Sequence, residues 1–184
     1  MNFLDNVRIG VKTLIPVAFM SLLLAAMVFL GAANLQGIAD RASRTISHTD
    51  AAVKSVRIGR LITALSLNVY QGITYDSASA EGQAVGTEFK ANLNAIEGNF
   101  DAVVALLPMH SDDLKALRAE YDGVRDRLKA QFELSNKAET IAKGSQLTPE
   151  QIDYIAKLMA DQGKVDADAR ALIAKMVAFN DGIV

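Results

Sequence analysis

The chain has 184 residues, a formal net charge of −2, no cysteine and no tryptophan. This small negative charge, without any run of basic residues, argues against a nucleic-acid partner. The lack of cysteine excludes disulfides, thiolate metal sites and thiol catalysis. Hydrophobic residues make up 51% of the chain but aromatic residues only 6%. This balance favours helices packed through aliphatic and small side chains over a sheet-rich core.

An uncharged run occupies residues 14–33, in which Ser21 is the only polar side chain. A helix of this length measures about 30 Å, at roughly 1.5 Å per residue, which matches the hydrocarbon core of a bilayer. Pro16 falls in the first turn, where its missing N–H and fixed φ are tolerated. The run therefore predicts a transmembrane helix, which we assign to residues 13–35.

Two other structures compete with a retained membrane helix. A buried core helix rarely remains uncharged for so long, and here the uncharged run extends from residue 13 to residue 39. A cleaved signal peptide has an apolar region of roughly 7–15 residues followed by small residues at the cleavage site. Gly31, Ala32 and Ala33 resemble such a site, but the apolar run is longer than that of a signal peptide.

The charges beside the apolar run predict its orientation. Arg8 and Lys12 precede it, with only Asp5 opposing them. Basic residues next to a membrane helix tend to stay in the cytoplasm. We therefore expect residues 1–12 to form a cytoplasmic lead and residues 36–184 to form an extracytoplasmic domain.

Helical periodicity continues beyond the membrane stretch. Apolar residues repeat at helical spacing at Leu35, Ile38, Ala42 and Ile46. This pattern predicts one continuous helix that runs to about Tyr75. The small and polar residues 76–86 then predict a loop.

Two further amphipathic helices follow the loop. The apolar residues of the first recur in steps of three and four, at Phe89, Leu93, Ile96, Phe100, Val103 and Leu107. Those of the second recur at Leu114, Leu117, Tyr121, Val124 and Leu128, and less regularly at Phe132, Leu134, Ala138 and Ile141. This spacing is typical of one buried helix face. We expect Pro108 to end the first helix, Ser111 to cap the second, and Gly144 to lie near the second helix's end.

The start of the last helix carries the clearest capping signal. Thr148 offers a capping hydroxyl, Pro149 occupies the first helical position, and Gln151 lies three residues after the cap. The buried face is predicted at Ile155, Leu158, Gln162, Val165, Ala169, Leu172, Met176, Phe179 and Ile183. Gln162 is the one polar member, and we expect it to fix the helix register rather than to bind a ligand.

Together these elements predict an all-α fold. Long helices joined by short connections pack as antiparallel neighbours. We therefore expect an antiparallel up-down-up-down four-helix bundle whose first helix is continuous with the N-terminal transmembrane helix. The fourth helix is expected to head back toward the membrane.

This organisation resembles the N-terminal part of a bacterial methyl-accepting chemotaxis receptor, in which a transmembrane helix leads into a four-helix-bundle sensor domain. Residues 6–14, NVRIGVKTL, are similar to the Asn-apolar-x-Ile-x-x-Lys-x-Leu stretch that often precedes the first membrane helix in that family. The resemblance implies a sensory, ligand-binding module in the bacterial inner membrane, with its helical domain in the periplasm. It also implies a parallel homodimer, and a second membrane helix, a HAMP linker and a cytoplasmic signalling hairpin beyond residue 184.

Three alternatives to a chemotaxis receptor stay open. The same module also resembles the sensors of histidine kinases and diguanylate cyclases. A membrane-anchored helical adaptor without a ligand is the second alternative, and it would leave a long apolar face exposed after the bundle forms. A secreted helical protein, released by cleavage near Ala33, is the third.

The sequence contains no catalytic constellation. His48 and His110 are isolated, with no Glu three residues before them and no second His four residues away. This spacing excludes the di-iron and zinc motifs of helices. There is also no Gly-rich phosphate loop and no nucleophile elbow. We therefore expect a protein that is not an enzyme, with no metal, no cofactor, and both histidines at the surface.

A group of cations on the first bundle helix is the candidate ligand site. Lys54, Arg57 and Arg60 are spaced three residues apart and spread over roughly a 120° arc of the helix. Arginine binds carboxylates through two parallel hydrogen bonds. Receptors of the resembled family often bind small anionic or amino-acid ligands at a dimer interface that involves the first helix. In a dimer, Arg170, together with Lys175, is expected to face this region from the fourth helix.

A solvated face, paired with acidic residues of a neighbouring helix, is the alternative explanation of these cations.

The expected mechanism is mechanical and needs no covalent chemistry. A ligand would favour one of two packings of the bundle, and a small sliding or rotation of the fourth helix against the first would pass through the membrane.

Overall fold

The computed structural model describes the backbone at residues 9–142 and 147–183, and the side chains at residues 18–138 and 147–182. Several features of the sequence lie wholly or partly outside these residues, namely the motif at residues 6–14, Arg8, Lys12, Pro16, Ile141, Gly144 and Ile183. The described part of the chain is 95% helical and contains no strand. The all-α fold class is therefore confirmed.

The chain forms four α-helices. Their bounds are Ile9–Thr74 for α1, Ala80–Leu106 for α2, Ser111–Ala142 for α3 and Pro149–Ile183 for α4. A short 3-10 turn, Pro108–His110, lies between α2 and α3. The residues group into two compact units, of which the first ends at Ile46 and the second begins at Ser47.

The described side chains of the first unit are all exposed. Large apolar side chains point outward all around the helix, with Met27 71% and Phe29 74% exposed. One helix of the described chain is long and apolar enough to cross a membrane, and none of its most apolar stretch is buried. A core helix would bury this surface, so the exposure argues against that alternative.

The second unit has one main hydrophobic core to which all four helices contribute. α1 supplies Ile58, Ile62, Leu65 and Val69, which are fully buried. The face predicted for α3 is buried from Leu114 to Leu128 at every member, and the faces predicted for α2 and α4 are buried or half-buried wherever their side chains are described. The periodicity of the apolar residues therefore identified the core-facing side of these three helices correctly.

The loop after α1 is shorter than the predicted loop at residues 76–86, because α2 already begins at Ala80. Ser79 caps α2 by accepting a hydrogen bond of 3.0 Å from the backbone N–H of Gly82. Its hydroxyl also donates to the carbonyl oxygen of Asp76 at 2.6 Å. Only glycine fits at residue 82, since a Cβ there would collide with the Asp76 carbonyl. The predicted loop at residues 76–86 included Ser79, but its role as the N-cap of α2 was not recognised.

The turn between α2 and α3 confirms one prediction and corrects another. α2 ends at Leu106, two residues before Pro108, as expected. Ser111 is not an N-cap, however, because its φ of −59° and ψ of −33° are already helical. The 3-10 turn leads directly into α3 and takes over the role of the expected cap.

The capping box at the start of α4 is confirmed. The Thr148 hydroxyl accepts from the backbone N–H of Gln151 at 3.3 Å. In return, the Gln151 side-chain oxygen accepts from the backbone N–H of Thr148 at 2.8 Å. Two backbone donors at the helix start are thereby satisfied, which fixes where α4 begins.

Candidate functional site

The three candidate cations of α1 have different surroundings. Lys54 is half-buried, and its ammonium lies 3.7 Å from the carboxylate of Asp50 one turn earlier. Arg57 and Arg60 are exposed and line an open groove of about 960 Å³. The structure thus brings the two arginines together at one surface but gives Lys54 an acidic partner within its own helix.

The groove beside these arginines has apolar walls and balanced charge. Val53 and Val56 line it along α1, and Glu88 of α2 and Asp181 of α4 line its far sides. Two guanidinium groups therefore face a groove that also carries two carboxylates. Within one chain this charge balance would suit an amino acid, with one charge of each sign, better than a simple anion.

Arg170 lies at a different place. It lines a smaller hollow of about 250 Å³ between α1 and α4, together with Thr63, Tyr70 and Asp166. Arg57 does not line this hollow. Within one chain Arg170 and Arg57 therefore line different hollows, and the expectation that Arg170 faces the α1 arginines in a dimer stays a prediction.

Lys175 is also separated from the α1 cations. Its ammonium contacts both carboxylate oxygens of Glu120 on α3, at 2.7 and 2.8 Å. This is the solvated ion pair that the alternative explanation expected for a cation on an outer face.

His48 lies on α1 and His110 in the 3-10 turn, and both are half-buried. The His110 ring meets the Phe179 ring edge-on with 5.7 Å between centroids. Its Nδ1 lies 3.9 Å from a carboxylate oxygen of Asp113. Among the described residues, no group of three or more His, Asp or Glu side chains is arranged to hold a metal ion.

A partly buried polar network between α4 and α1 is a feature that sequence reasoning missed. Gln162 is fully buried, and its side-chain nitrogen donates to one oxygen of Asp166 at 2.7 Å. The Tyr70 hydroxyl donates to the other oxygen of Asp166 at 2.8 Å. Burial raises the pKa of Tyr70, and the adjacent Asp166 carboxylate raises it further. The spacing of Gln162 and Asp166 was visible in the sequence, but their partner on α1 was not.

Gln162 therefore does more than break the apolar pattern of its helix. It hydrogen-bonds to Asp166, and Asp166 in turn accepts a hydrogen bond from Tyr70 on α1, which lies 96 residues earlier in the chain. A polar group buried in a bundle favours the one helix register in which its hydrogen bonds are made. The hydrogen bond of Gln162 itself lies within α4, and its side-chain oxygen has no partner among the described residues, so its role in fixing register stays a prediction.

Comparison with known proteins gives no match: neither protein-family models, nor curated proteins, nor solved structures align with this chain. Functional conclusions therefore depend on the residues and contacts described above.

Proposed function

We propose that this chain is the sensory module of a bacterial transmembrane chemotaxis receptor, which binds a ligand outside the cytoplasm and transmits the signal by helix displacement. The observation that carries the proposal is the two-faced character of α1. One face of this helix belongs to the core of the second unit, and the opposite face bears apolar and cationic residues in solvent.

The contacts between helices support an antiparallel up-down-up-down bundle in the second unit. As residue numbers rise along one helix, those of its contact partners fall along the next. The contacts that follow this rule are Phe89 with Phe132 and Phe100 with Tyr121, Glu120 with Lys175 and Arg127 with Asp168, and Gly59 with Ile173 and Tyr70 with Asp166. Sequential helices that alternate in direction produce this arrangement.

The exposed face of α1 has the spacing of a second packing seam. Its members recur in alternating steps of four and three and are all exposed, at Thr49, Val53, Val56, Arg60, Thr63 and Leu67. We name these six residues the outer seam. Val53 and Leu67 are 61% and 56% exposed. Such spacing is typical of helices that pair along their length.

A second copy of this chain is the partner we propose for the outer seam. Two copies anchored in one membrane by the same N-terminal helix would both send α1 away from the membrane in the same direction. Their outer seams would then meet in parallel and bury the exposed valines. In this parallel homodimer Arg57 and Arg60 would lie at the interface, where a small anionic or amino-acid ligand would bind.

The proposed location is the bacterial inner membrane. The helix that is long and apolar enough to cross a membrane would be its anchor, with the N-terminus in the cytoplasm and the helical domain in the periplasm. The proposed mechanism needs no catalytic group, cofactor or metal, in keeping with a protein that is not an enzyme.

The distribution of ion pairs suggests how the signal would travel. Arg125 links α3 to Glu97 of α2 at 3.0 Å, and Lys175 links α4 to α3. α1, by contrast, contacts α4 through apolar packing at Gly59 and through the hydrogen bond of Tyr70. We therefore propose that displacement occurs between α1 and α4, and that the Tyr70–Asp166 hydrogen bond distinguishes the two packings.

The exposed outer seam also agrees with the adaptor alternative, which expected an apolar face left over after the bundle forms. The two proposals differ in what covers the seam, a second copy or a different protein. A receptor is favoured because Arg60 of the seam and the neighbouring Arg57 lie beside a groove, a feature that an adaptor does not need. A kinase or cyclase sensor would share this module and differ only in its output domain.

A hybrid receptor tests the proposed function. Residues 1–184 would be joined to the second membrane helix and cytoplasmic signalling part of a chemotaxis receptor, and the activity of the coupled kinase would be measured against a panel of amino acids and organic acids. We expect at least one compound to change kinase activity, and Arg57→Ala with Arg60→Ala to raise its half-effective concentration about tenfold or more. Lys157→Ala, an exposed cation of α4, is the matched control. An unchanged response in the double variant would contradict the ligand site, and no response to any compound would favour the adaptor.

A further inference from the structure

A second groove, between α2 and α3, lies apart from the cations of α1. It has a volume of about 630 Å³, within the range of small-molecule sites in proteins. None of its lining residues belongs to α1 or to α4. A ligand bound in this groove would therefore not touch the outer seam.

The floor of this groove is aromatic. Phe89 of α2 and Phe132 of α3 stack with their ring centroids 4.3 Å apart and their planes inclined by 10°. Phe89 is buried, whereas Phe132 is half-buried and exposes part of its ring. Leu93 extends the apolar surface by one helical turn along α2. The floor therefore offers a flat face to an aromatic or other planar apolar group.

Room for such a group comes from the α2 wall. Gly86 lines the groove, and a Cβ placed there would meet nothing within 4 Å. A larger side chain at this position would extend into the space that a ligand needs. Replacing Gly86 by a larger residue would therefore reduce the volume of the groove without straining α2.

The rim of the groove is cationic. Lys90 of α2 and Lys129 of α3 line it from opposite walls, with Glu133 as the one acidic residue of the lining. Among the described side chains neither ammonium has an ion-pair partner. Farther along the same two helices, Arg118 and Arg125 both pair with Glu97. Lys90 and Lys129 therefore differ from these two arginines in lacking an acidic partner among the described side chains.

From these observations we propose that the α2–α3 groove binds a small aromatic carboxylate. The ring would lie on Phe132 and Leu93, and the carboxylate would accept hydrogen bonds from Lys90 and Lys129. A charged hydrogen bond of this kind is about twice as strong as a neutral one. With two ammonium groups and one carboxylate, the lining has a net charge of +1 and selects a monoanion over a neutral molecule of equal shape.

Binding would be measured with the full chain in lipid nanodiscs, using 4-fluorobenzoate as a fluorine NMR probe. We expect saturable binding with a Kd below about 1 mM, a modest affinity suited to ten heavy atoms. Unlabelled benzoate should displace the probe. Benzamide, which has the same shape without the charge, and acetate, which has the charge without the ring, should each compete about tenfold more weakly or worse.

Two pairs of variants locate the site. Gly86→Leu fills the groove and should abolish saturable binding, while Gly98→Leu, at another open and exposed glycine of α2, should leave it unchanged. Lys90→Gln combined with Lys129→Gln should weaken binding about tenfold or more, whereas Lys137→Gln, an exposed lysine outside the groove, should not.

Circular dichroism and the melting temperature would show that each variant is folded. Absence of saturable binding by the native chain, or equal binding by folded Gly86→Leu, would overturn the proposal. If Gly86→Leu failed to fold, unaltered binding by the double lysine variant would overturn it instead. The experiment measures binding alone, so its failure would leave the proposed receptor function untouched.

Discussion

The Tyr70 hydroxyl donates a hydrogen bond of 2.8 Å to Asp166, which joins α1 to α4 in the second unit. Asp166 receives a second hydrogen bond from Gln162, which is fully buried on the same helix. The pair therefore gives the contact between α1 and α4 a directional hydrogen bond.

Replacing this tyrosine should loosen that contact. Tyr70→Phe removes a hydrogen bond to a carboxylate and should lower the free energy of unfolding by about 1–2 kcal/mol. Tyr75→Phe, at an exposed tyrosine just beyond α1, is the matched control and should have no measurable effect. Urea denaturation followed by circular dichroism measures both. Equal stability of the two variants would show that the Tyr70 hydrogen bond contributes nothing.

Alkaline pH should destabilise the second unit through its buried phenols. Burial raises the pKa of Tyr121, and the nearby Glu97 carboxylate raises it further. The folded chain therefore holds the phenol proton more tightly than the unfolded chain. The free energy of unfolding is unaffected below about pH 10, where the phenol is protonated in both states. Above this pH it should fall by up to about 1.4 kcal/mol per pH unit for each buried phenol.

Tyr121→Phe tests this pH dependence. The ring would keep its packing against Phe100, 5.3 Å away between centroids. The hydroxyl that is lost has no hydrogen-bond partner among the described residues, so stability at pH 7 should stay equal or increase by up to about 1 kcal/mol. Between pH 10 and 12 the variant should lose less stability than the native chain. Parallel stability curves for the two proteins would contradict the assignment of the alkaline effect to Tyr121.

Gly72 should tolerate no side chain. A Cβ at this position would lie 2.5 Å from the hydroxyl oxygen of Ser135 and 3.4 Å from the Phe132 ring. Because Ser135 is fully buried, the clash is not relieved by movement into solvent. Gly72→Ala should therefore lower the free energy of unfolding by about 1–3 kcal/mol.

Gly123→Ala is the matched control, since a Cβ at this exposed glycine of α3 meets nothing within 4 Å. It should raise stability by about 0.5–1 kcal/mol through helix propensity alone. Adding Ser135→Ala to Gly72→Ala should recover part of the loss. If Gly72→Ala stabilised the chain as much as Gly123→Ala, the result would contradict the close approach of α1 and α3 at Gly72.

Apolar periodicity predicted the core-facing sides of α2, α3 and α4 because nearly every buried position on them is apolar. The same rule missed Asn68 and Ser135, which are almost fully buried, because it assigns polar residues to the solvent side. Asn68 is satisfied by Asn92 of α2 at 3.2 Å, and such a partner becomes visible only when the helices are packed.

The candidate ligand residues show a similar limit. The spacing of Arg57 and Arg60 predicted that they share a surface, since both lie on one helix. The position of Arg170 depends on how α4 packs against α1, and the structure places it in the hollow that Tyr70 and Asp166 also line. The α2–α3 groove depends on the packing of two helices around Phe89 and Phe132, which are 43 residues apart in the sequence.

The most direct test of signalling by displacement between α1 and α4 is the kinase activity of the hybrid receptor after the two helices are locked. The chain has no cysteine, so introduced pairs are the only thiols in residues 1–184. Gly59→Cys with Ile173→Cys would lock the observed register, in which a Cβ at residue 59 lies 3.4 Å from Ile173. Thr63→Cys with Ile173→Cys would hold a register shifted by about one turn, or roughly 5.4 Å.

The two disulfides should produce clearly different kinase activities, and reduction should return both receptors to the same activity. Single-cysteine variants control for the substitutions themselves. Equal kinase activity in both locked registers and in the reduced receptors would contradict the proposal that helix displacement carries the signal.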